Sequence, residues 1–358
     1  MKMSKRTSGL AIATFLALAI VASAFAQAPA LPNVVILATG GTIAGAQPKE
    51  GDAGYKSGAL SIESLMAAAP GMDKFAKVTG EQIAAIGSQD MNDVVWFKLA
   101  RRANELLATP GVDGIVVTHG TDTLEETAFF LGLVIKSDKP VVLVGSMRPA
   151  TSTSPDGPLN LYNAVAVAAD PKAKGLGTLV VSNDDLYSGR DIQKTNTTDV
   201  QTFQAPGRGL LGEAYYGKTI YFNRPTARNT TKSEFSLDGL AEMPRVDIVY
   251  AHENVDGTMV RAAVAAGAKG IVLAGVGDGN ATKDMIDALA DAAKKGVVVV
   301  RSSRVGSGII RRNIELNDDA MGFVAAMELN PQKARVLLRL GLTKTKDIKE
   351  IQRMFLEY

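Results

Sequence analysis

Short runs of β-branched and aliphatic residues, each closing on glycine and a hydroxyl, recur along this chain. Val34-Val35-Ile36-Leu37 leads into Thr39-Gly40-Gly41-Thr42-Ile43-Ala44-Gly45, and Ile115-Val116-Val117 leads into Thr118-His119-Gly120-Thr121-Asp122-Thr123. An apolar run without polar alternation, bounded by glycine, reads as a strand buried on both faces of a parallel sheet. Similar runs predict strands at Ile83–Ile86, Val141–Val144 and Thr178–Ser182. Helical periodicity lies between them, over Asn92–Leu107, Thr123–Lys136 and Pro158–Ala169, the last with Asp156 and Pro158 as helix-start signals. Strand and helix in alternation imply an α/β fold: a mostly parallel sheet covered by helices on both faces.

The alternation is interrupted once. Residues 223–244, bracketed by Pro225 and Pro244, are polar and aperiodic and read as a linker between domains. The larger N-terminal α/β domain then spans 27–222 and a smaller C-terminal α/β domain spans 245–358. Strands are expected in the latter at Val246–Tyr250, Ile271–Leu273 and Val297–Val300, each followed by a helix. Asn330-Pro331 opens a further helix, and an amphipathic segment from Asp347 to Phe355 closes the chain.

Residues 1–26 read as a cleavable leader, not as part of the fold. Lys2, Lys5 and Arg6 precede the apolar stretch Leu10–Val21, and Ala24-Phe25-Ala26 has the small-x-small form of a processing site. A membrane anchor is the competing reading, since Gly9–Ala26 approaches the shortest spanning length of about 17 residues. The abundance of alanine favours cleavage, and with it a soluble, periplasmic product. Removing the leader takes three positive charges with it, so the formal net charge of +2 becomes −1. A near-neutral chain of mixed charge has no electrostatic case for nucleic acid or for an anionic membrane surface.

Cysteine is absent and only His119 and His252 are histidines. Disulfides, thiolate-metal sites and histidine-rich metal clusters are thereby excluded, and no cofactor motif is present. A general base must come from Lys, Tyr, Asp or Glu. Thr39-Gly40-Gly41-Thr42 lacks the Gly-Lys-Ser/Thr ending of a triphosphate loop, and the glycines of Gly275–Asn280 recur at the wrong spacing for a dinucleotide fingerprint.

The polar motifs all occupy equivalent places. Gly87-Ser88-Gln89-Asp90 follows the second strand, Gly145-Ser146-Met147-Arg148-Pro149 the fourth, and Gly275–Asn280 and Arg301–Arg304 follow strands of the second domain. Open α/β sheets bind ligands beyond strand carboxyl ends, so two hydroxyls, Thr42 and Thr121, are expected to face one crevice, the second with Asp122 beside it. That suits acyl transfer, in which an activated hydroxyl attacks a carbonyl. Taken singly, the same residues have plainer readings. Asp122 with Glu125 resembles a helix capping box, Ser88–Asp93 a helix cap, His119 a packed core residue, and Lys194 and Glu315 solvated surface groups.

Together the motifs resemble the bacterial type II L-asparaginases, a family that includes the glutaminase-asparaginases. The segments carrying the resemblance are Ile36–Ala44 and Gly114–Leu124, supported by Asn330–Arg335 and Gln352–Phe355. The resemblance implies a flavodoxin-like larger domain and hydrolysis of the side-chain amide of L-asparagine to L-aspartate and ammonia, without metal or cofactor. It makes Thr42 the nucleophile that forms an acyl-enzyme, with Tyr55 and Glu315 as its partners, and groups Thr121 with Lys194 and Asp122. Asp122 would pair with the substrate ammonium, and Ser88 and Gln89 would hold its carboxylate. Backbone N–H groups of the Gly41-Thr42 and Gly120-Thr121 turns are expected oxyanion donors, and Ser146 is expected to line the crevice. Asn280 and Glu315 match positions that reach the site from a neighbouring subunit, which implies a homotetramer of two intimate dimers. Ala44–Leu60 resembles a mobile lid carrying Tyr55. Asn280 matches asparagine-selective members, whereas the closing Gln352–Phe355 looks more like the dual-specificity group, so comparable glutamine hydrolysis is the alternative. An exported solute-binding protein is the rival from another class; it leaves the paired threonine motifs unexplained.

Overall fold

The computed structural model describes residues 30–49 and 51–358; the leader expected over 1–26 lies outside them. Leu31–Tyr358 forms one compact unit built on two main sheets. The first contains β1 (Asn33–Gly40), β2 (Lys77–Ile86), β3 (Gly114–Thr118), β4 (Val141–Val144) and β5 (Thr178–Ser182), all parallel, with helices α1 (Ile62–Ala68), α2 (Asp93–Ala108), α3 (Leu124–Val134) and α4 (Gly157–Ala169) between them. Three antiparallel strands extend its far edge: β6 (Asp185–Ser188), then β9 (Gly212–Tyr215) and β10 (Lys218–Tyr221). Between β6 and β9 the two-residue strands β7 (Gln193–Lys194) and β8 (Phe203–Gln204) pair as a separate ribbon.

The strand order is β10-β9-β6-β5-β4-β3-β1-β2. The chain leaves β1 toward β2 and then crosses back to β3 on the other side, so the loops after β1 and β3 diverge at a topological switch point. This is the flavodoxin-like arrangement, in which a crevice opens at that place.

Alternate residues of β1 feed two cores. Val35 and Leu37 face α2 and α3, while Val34, Ile36 and Ala38 face α1 and α4. Helix α2 starts where Asn92 accepts the Val95 N–H, and it buries Trp96, Leu99, Ala100, Ala103 and Leu107. Helix α3 is buried on nearly all sides, because the C-terminal part of the chain covers the face turned away from the sheet.

The second sheet is parallel, in the order β11 (Val246–Tyr250), β12 (Gly270–Gly275), β13 (Val298–Ser303), β14 (Phe323–Ala325). Helices α5 (Thr258–Ala265) and α6 (Lys283–Lys294) cover one face. The short α7 (Asp318–Met321) leads into β14, and α8 (Pro331–Leu342) and α9 (Ile348–Glu357) complete the chain. The other face of this sheet shares a continuous core with α2, α3 and α8. Residues 223–244 run between the sheets with Phe235, Leu237 and Met243 buried, and Ser233 Oγ donates to the Leu133 carbonyl at 2.5 Å.

Two helix-start expectations resolve differently. Asp156 precedes α4 but does not cap it; its carboxylate accepts the N–H groups of Met147 and Arg148 at 3.0 and 2.9 Å and pins the loop after β4. The Asp122/Glu125 capping box does not form. Thr123 is the N-cap but its hydroxyl donates to the Ser88 carbonyl instead of capping, and the Glu125 carboxylate is taken by other donors.

Candidate active site

The loops after β1, β2 and β3 converge at the switch point and bond directly to one another. Thr39 Oγ1 donates to the Thr118 carbonyl at 2.8 Å, Gly41 N–H donates to Ile86 O at 2.9 Å, and Asp122 N–H donates to Ser88 Oγ at 3.1 Å. Gly41, at φ 82° and ψ −176°, lies so close to the next signature that a Cβ there would stand 2.2 Å from Gly120 N. Only glycine occupies that backbone region without strain. The close approach sets the two threonine turns side by side.

Thr42 opens a single 3₁₀ turn, Thr42–Ala44, and is 7% exposed. Its Oγ1 lies 2.7 Å from Tyr55 Oη. Tyr55 reaches it from the Ala44–Leu60 segment, which folds back through reciprocal bonds between Ala46 and Lys56 and through Gly58 N–H to Gly41 O. The Tyr55 ring rests against Gly45, where a Cβ would approach within 2.8 Å.

Thr121 is equally buried. Lys194 Nζ donates to Thr121 Oγ1 at 2.9 Å and to Asp122 Oδ1 at 2.6 Å, while the Asp122 side chain remains 58% exposed. Lys194 is therefore not a solvated loop residue. Each threonine hydroxyl has one ionisable partner within hydrogen-bond reach, the geometry that activates a weak nucleophile.

His119 is a structural residue. Its Nδ1 lies 2.7 Å from the Gly120 carbonyl and must donate there, which leaves Nε2 to accept from Thr127 Oγ1 at 2.9 Å. Thr127 in turn accepts from Trp96 Nε1 at 2.8 Å. Burial pushes the imidazole down to about 4, so it stays neutral and holds the Gly120 turn.

The remaining expected residues divide. Ser88 is buried and bonded into the site through Asp122 and Thr123. Gln89 is exposed, its amide turned toward Asp90 at 3.4 Å. Ser146 is buried, and its hydroxyl is committed to the Arg148 carbonyl at 2.8 Å. Gly41 N–H is likewise committed, to Ile86, so it does not serve as an oxyanion donor; the N–H groups of Thr42 and Thr121 carry no partner among the described residues. Asn280 stands at the end of a turn closed by two 2.8 Å bonds with Val276, and Glu315 is exposed. Neither bonds to Thr42, Tyr55 or Thr121 within this chain. Among the described residues no group of three or more His, Asp or Glu side chains assembles to hold a metal. Glu125, whose carboxylate accepts the Lys194 N–H, was not legible as a site residue; with Glu126 beside it in the first turn of α3, nothing in the local sequence distinguishes it from an ordinary helix-start acid.

Fold and site together define a doubly wound α/β protein with two buried hydroxyls, each hydrogen-bonded to an ionisable side chain, at the switch point of its larger sheet. Comparison with known proteins agrees. The N-terminal asparaginase profile matches residues 33–228 and the glutaminase/asparaginase C-terminal domain profile matches residues 245–355. The chain belongs to the asparaginase family. It is 51% identical to a probable periplasmic L-asparaginase of Haemophilus influenzae over the full length of both chains. It is 49% identical to a glutaminase-asparaginase of Pseudomonas fluorescens, over 92% of this chain and 91% of the other. The crystal structure of a probable cytoplasmic L-asparaginase from Campylobacter jejuni superposes with a TM-score of 0.88 at 46% identity, covering 91% of this chain and all of that one.

Proposed function

We propose that this protein hydrolyses the side-chain amide of L-asparagine, releasing L-aspartate and ammonia through an acyl-enzyme on Thr42. The observation that carries the reading is the 2.7 Å contact between Thr42 Oγ1 and Tyr55 Oη, with Thr121, Lys194 and Asp122 beside it. Thr42 Oγ1 attacks the amide carbon as its proton passes toward Tyr55. The amide nitrogen takes up a proton and leaves as ammonia, and water then cleaves the ester. The Thr121–Lys194 pair supplies a second hydroxyl and a proton carrier for these steps. The free N–H groups of Thr42 and Thr121 are the oxyanion donors, each worth roughly 3–4 kcal/mol in related geometries.

Asp122 is the ammonium partner because its carboxylate is exposed to the crevice while Lys194 holds its other side. Ser88 and Gln89 take the substrate carboxylate. Asn280 and Glu315, unattached to the site within one chain, act in the site of a neighbouring subunit, which requires an intimate dimer and favours the tetramer. A domain boundary in the 223–244 segment fits the gap between the two matched profiles. Export as a periplasmic enzyme fits the basic-apolar leader and the Haemophilus relative's name.

Glutamine is the second reading, favoured by the likeness to the Pseudomonas enzyme. One methylene separates the substrates, a difference worth about 1–3 kcal/mol in a pocket. Ammonia release from L-asparagine, L-glutamine and D-asparagine, measured as kcat/KM, decides between them. The expected order is L-asparagine first. Thr42→Ala should abolish turnover, and mass analysis of protein trapped with a slow substrate analogue should find the adduct on Thr42. Undiminished turnover in Thr42→Ala, or a label fixed elsewhere, overturns the mechanism; binding without turnover in the wild type would instead favour a solute-binding protein.

A further inference from the structure

Lys194 stands on β7, a strand of two residues that pairs only with the two residues of β8. An isolated ribbon of that size is unstable in water. Yet Lys194 Nζ sits within bonding distance of both Thr121 Oγ1 and Asp122 Oδ1, so something outside the ribbon fixes its backbone.

Two buried groups of opposite charge do so. Glu125, 3% exposed, accepts the Lys194 N–H on Oε2 at 2.6 Å. Its Oε1 accepts Asn330 Nδ2 at 3.0 Å and Gln332 Nε2 at 2.5 Å, both from the start of α8. Lys333, 1% exposed, donates Nζ to the carbonyl of Arg190 at 2.8 Å and to that of Ile192. The backbone is thus held just before and at residue 194, by an acceptor from α3 and a donor from α8. Burial pushes the Lys333 ammonium down to about 8, and the charges of Glu125 and Asp191 act against that shift.

Glu125 lies four residues after Thr121, in the first turn of α3. The links therefore close a ring: Thr121 leads through the start of α3 to Glu125, Glu125 binds the Lys194 backbone, and the Lys194 side chain returns to Thr121. A closed ring fixes the Nζ–Oγ1 separation more tightly than a loop with two free ends. Glu125 and Lys333 are both buried, and their polar atoms serve the partners named above rather than each other. An apolar pair would leave the Lys194 N–H and two carbonyls without partners.

We infer that Glu125 and Lys333 are positioning residues for Lys194, and that through them helix α8 of the C-terminal sheet sets the alignment of the Thr121 hydroxyl. This rests on the reading that Lys194 and Thr121 take part in turnover.

The test uses the full-length enzyme with L-asparagine and four variants: Lys194→Met, Glu125→Gln, Lys333→Met and Gln332→Ala. Rates are expressed per folded protein, with thermal midpoints recorded in parallel. Glu125→Gln keeps the side-chain shape but gives up one of two acceptor oxygens; it and Lys333→Met should each lower kcat about 10- to 100-fold, with KM within about twofold of wild type. Gln332→Ala, which removes one outer donor and leaves the core packed, should lower kcat about threefold with an unchanged thermal midpoint. It decides the matter if either core variant fails to fold. Wild-type kcat per folded enzyme in Glu125→Gln and Gln332→Ala, alongside a disabled Lys194→Met, overturns the positioning role and leaves the mechanism standing. Full turnover in Lys194→Met overturns the underlying reading itself.

Discussion

Replacing Gly41 with alanine adds one methyl group and removes no functional atom, yet it should disable the site. The backbone there, φ 82° with ψ −176°, belongs to glycine, and holding alanine in it costs roughly 1–3 kcal/mol. The new Cβ would also stand 2.2 Å from Gly120 N, 2.4 Å from Gly120 Cα and 2.7 Å from the His119 carbonyl carbon. These are all backbone atoms, and His119 is fixed by bonds at both ring nitrogens. The collision is relieved only by parting the two threonine turns by about 1 Å, the scale of misplacement that can cost 100-fold in rate. We therefore expect kcat/KM to fall at least 100-fold, with a loss of about 2–5 kcal/mol in stability once overpacking is added to backbone strain. Gly267→Ala, after α5 and away from the site, is the matched control: its φ is also positive, at 84°, but nothing lies within 4 Å of the added carbon. It should show backbone strain without loss of activity. Steady-state kinetics and urea midpoints on both variants make the comparison. A Gly41→Ala enzyme within threefold of wild-type kcat/KM would refute the argument that contact between the turns sets the site.

Two further outcomes concern charge. Asp318→Asn should cost about 3–5 kcal/mol in urea unfolding, because Arg301 and Asp318 are both fully buried and the neutral amide leaves the guanidinium uncompensated; a loss under about 1 kcal/mol would contradict this. Acid should weaken the fold through His119. Its folded value is about 4 and its ordinary value 6.5, so the unfolded chain binds the extra proton first as pH falls between them. Stability from this residue is complete above about pH 6.5 and declines by a few kcal/mol toward pH 4. Urea midpoints of wild type and His119→Gln at pH 7.5 and pH 4.5 check it: the substitution should flatten the decline, and an equal slope in both would sink it.

The parts of the fold that sequence reading recovered are those buried on both faces. Strands β4 and β5, buried at every position, lie where their apolar runs place them, to the residue. Edge elements were harder. The first six residues of β2, Lys-Val-Thr-Gly-Glu-Gln, are mostly polar and none is fully buried, and β14 has only three residues. The antiparallel strands β6, β9 and β10 are too short to stand out from turns. At the site, Thr42 and Thr121 were legible because each follows a buried strand, whereas Tyr55, Lys194 and Glu315 were named only through the family resemblance. Lys194 meets Asp122 across 72 positions, and Asn330 meets Glu125 across 205. No local pattern encodes such meetings. Asp156 and Glu125 illustrate the opposite error: both have the right residue type for a helix start, and both are drawn off by donors elsewhere in the fold.

Trp96 is the only tryptophan in the sequence, stacked on Phe130 at 4.5 Å and linked through Thr127 and His119 to the Gly120 turn. The chain therefore contains a single indole, wired to its signature loop, which excitation above the tyrosine absorption band reports without interference from a second one. Its emission gives an optical readout of that loop's state in unlabelled enzyme, on the timescale of a stopped-flow mixing experiment.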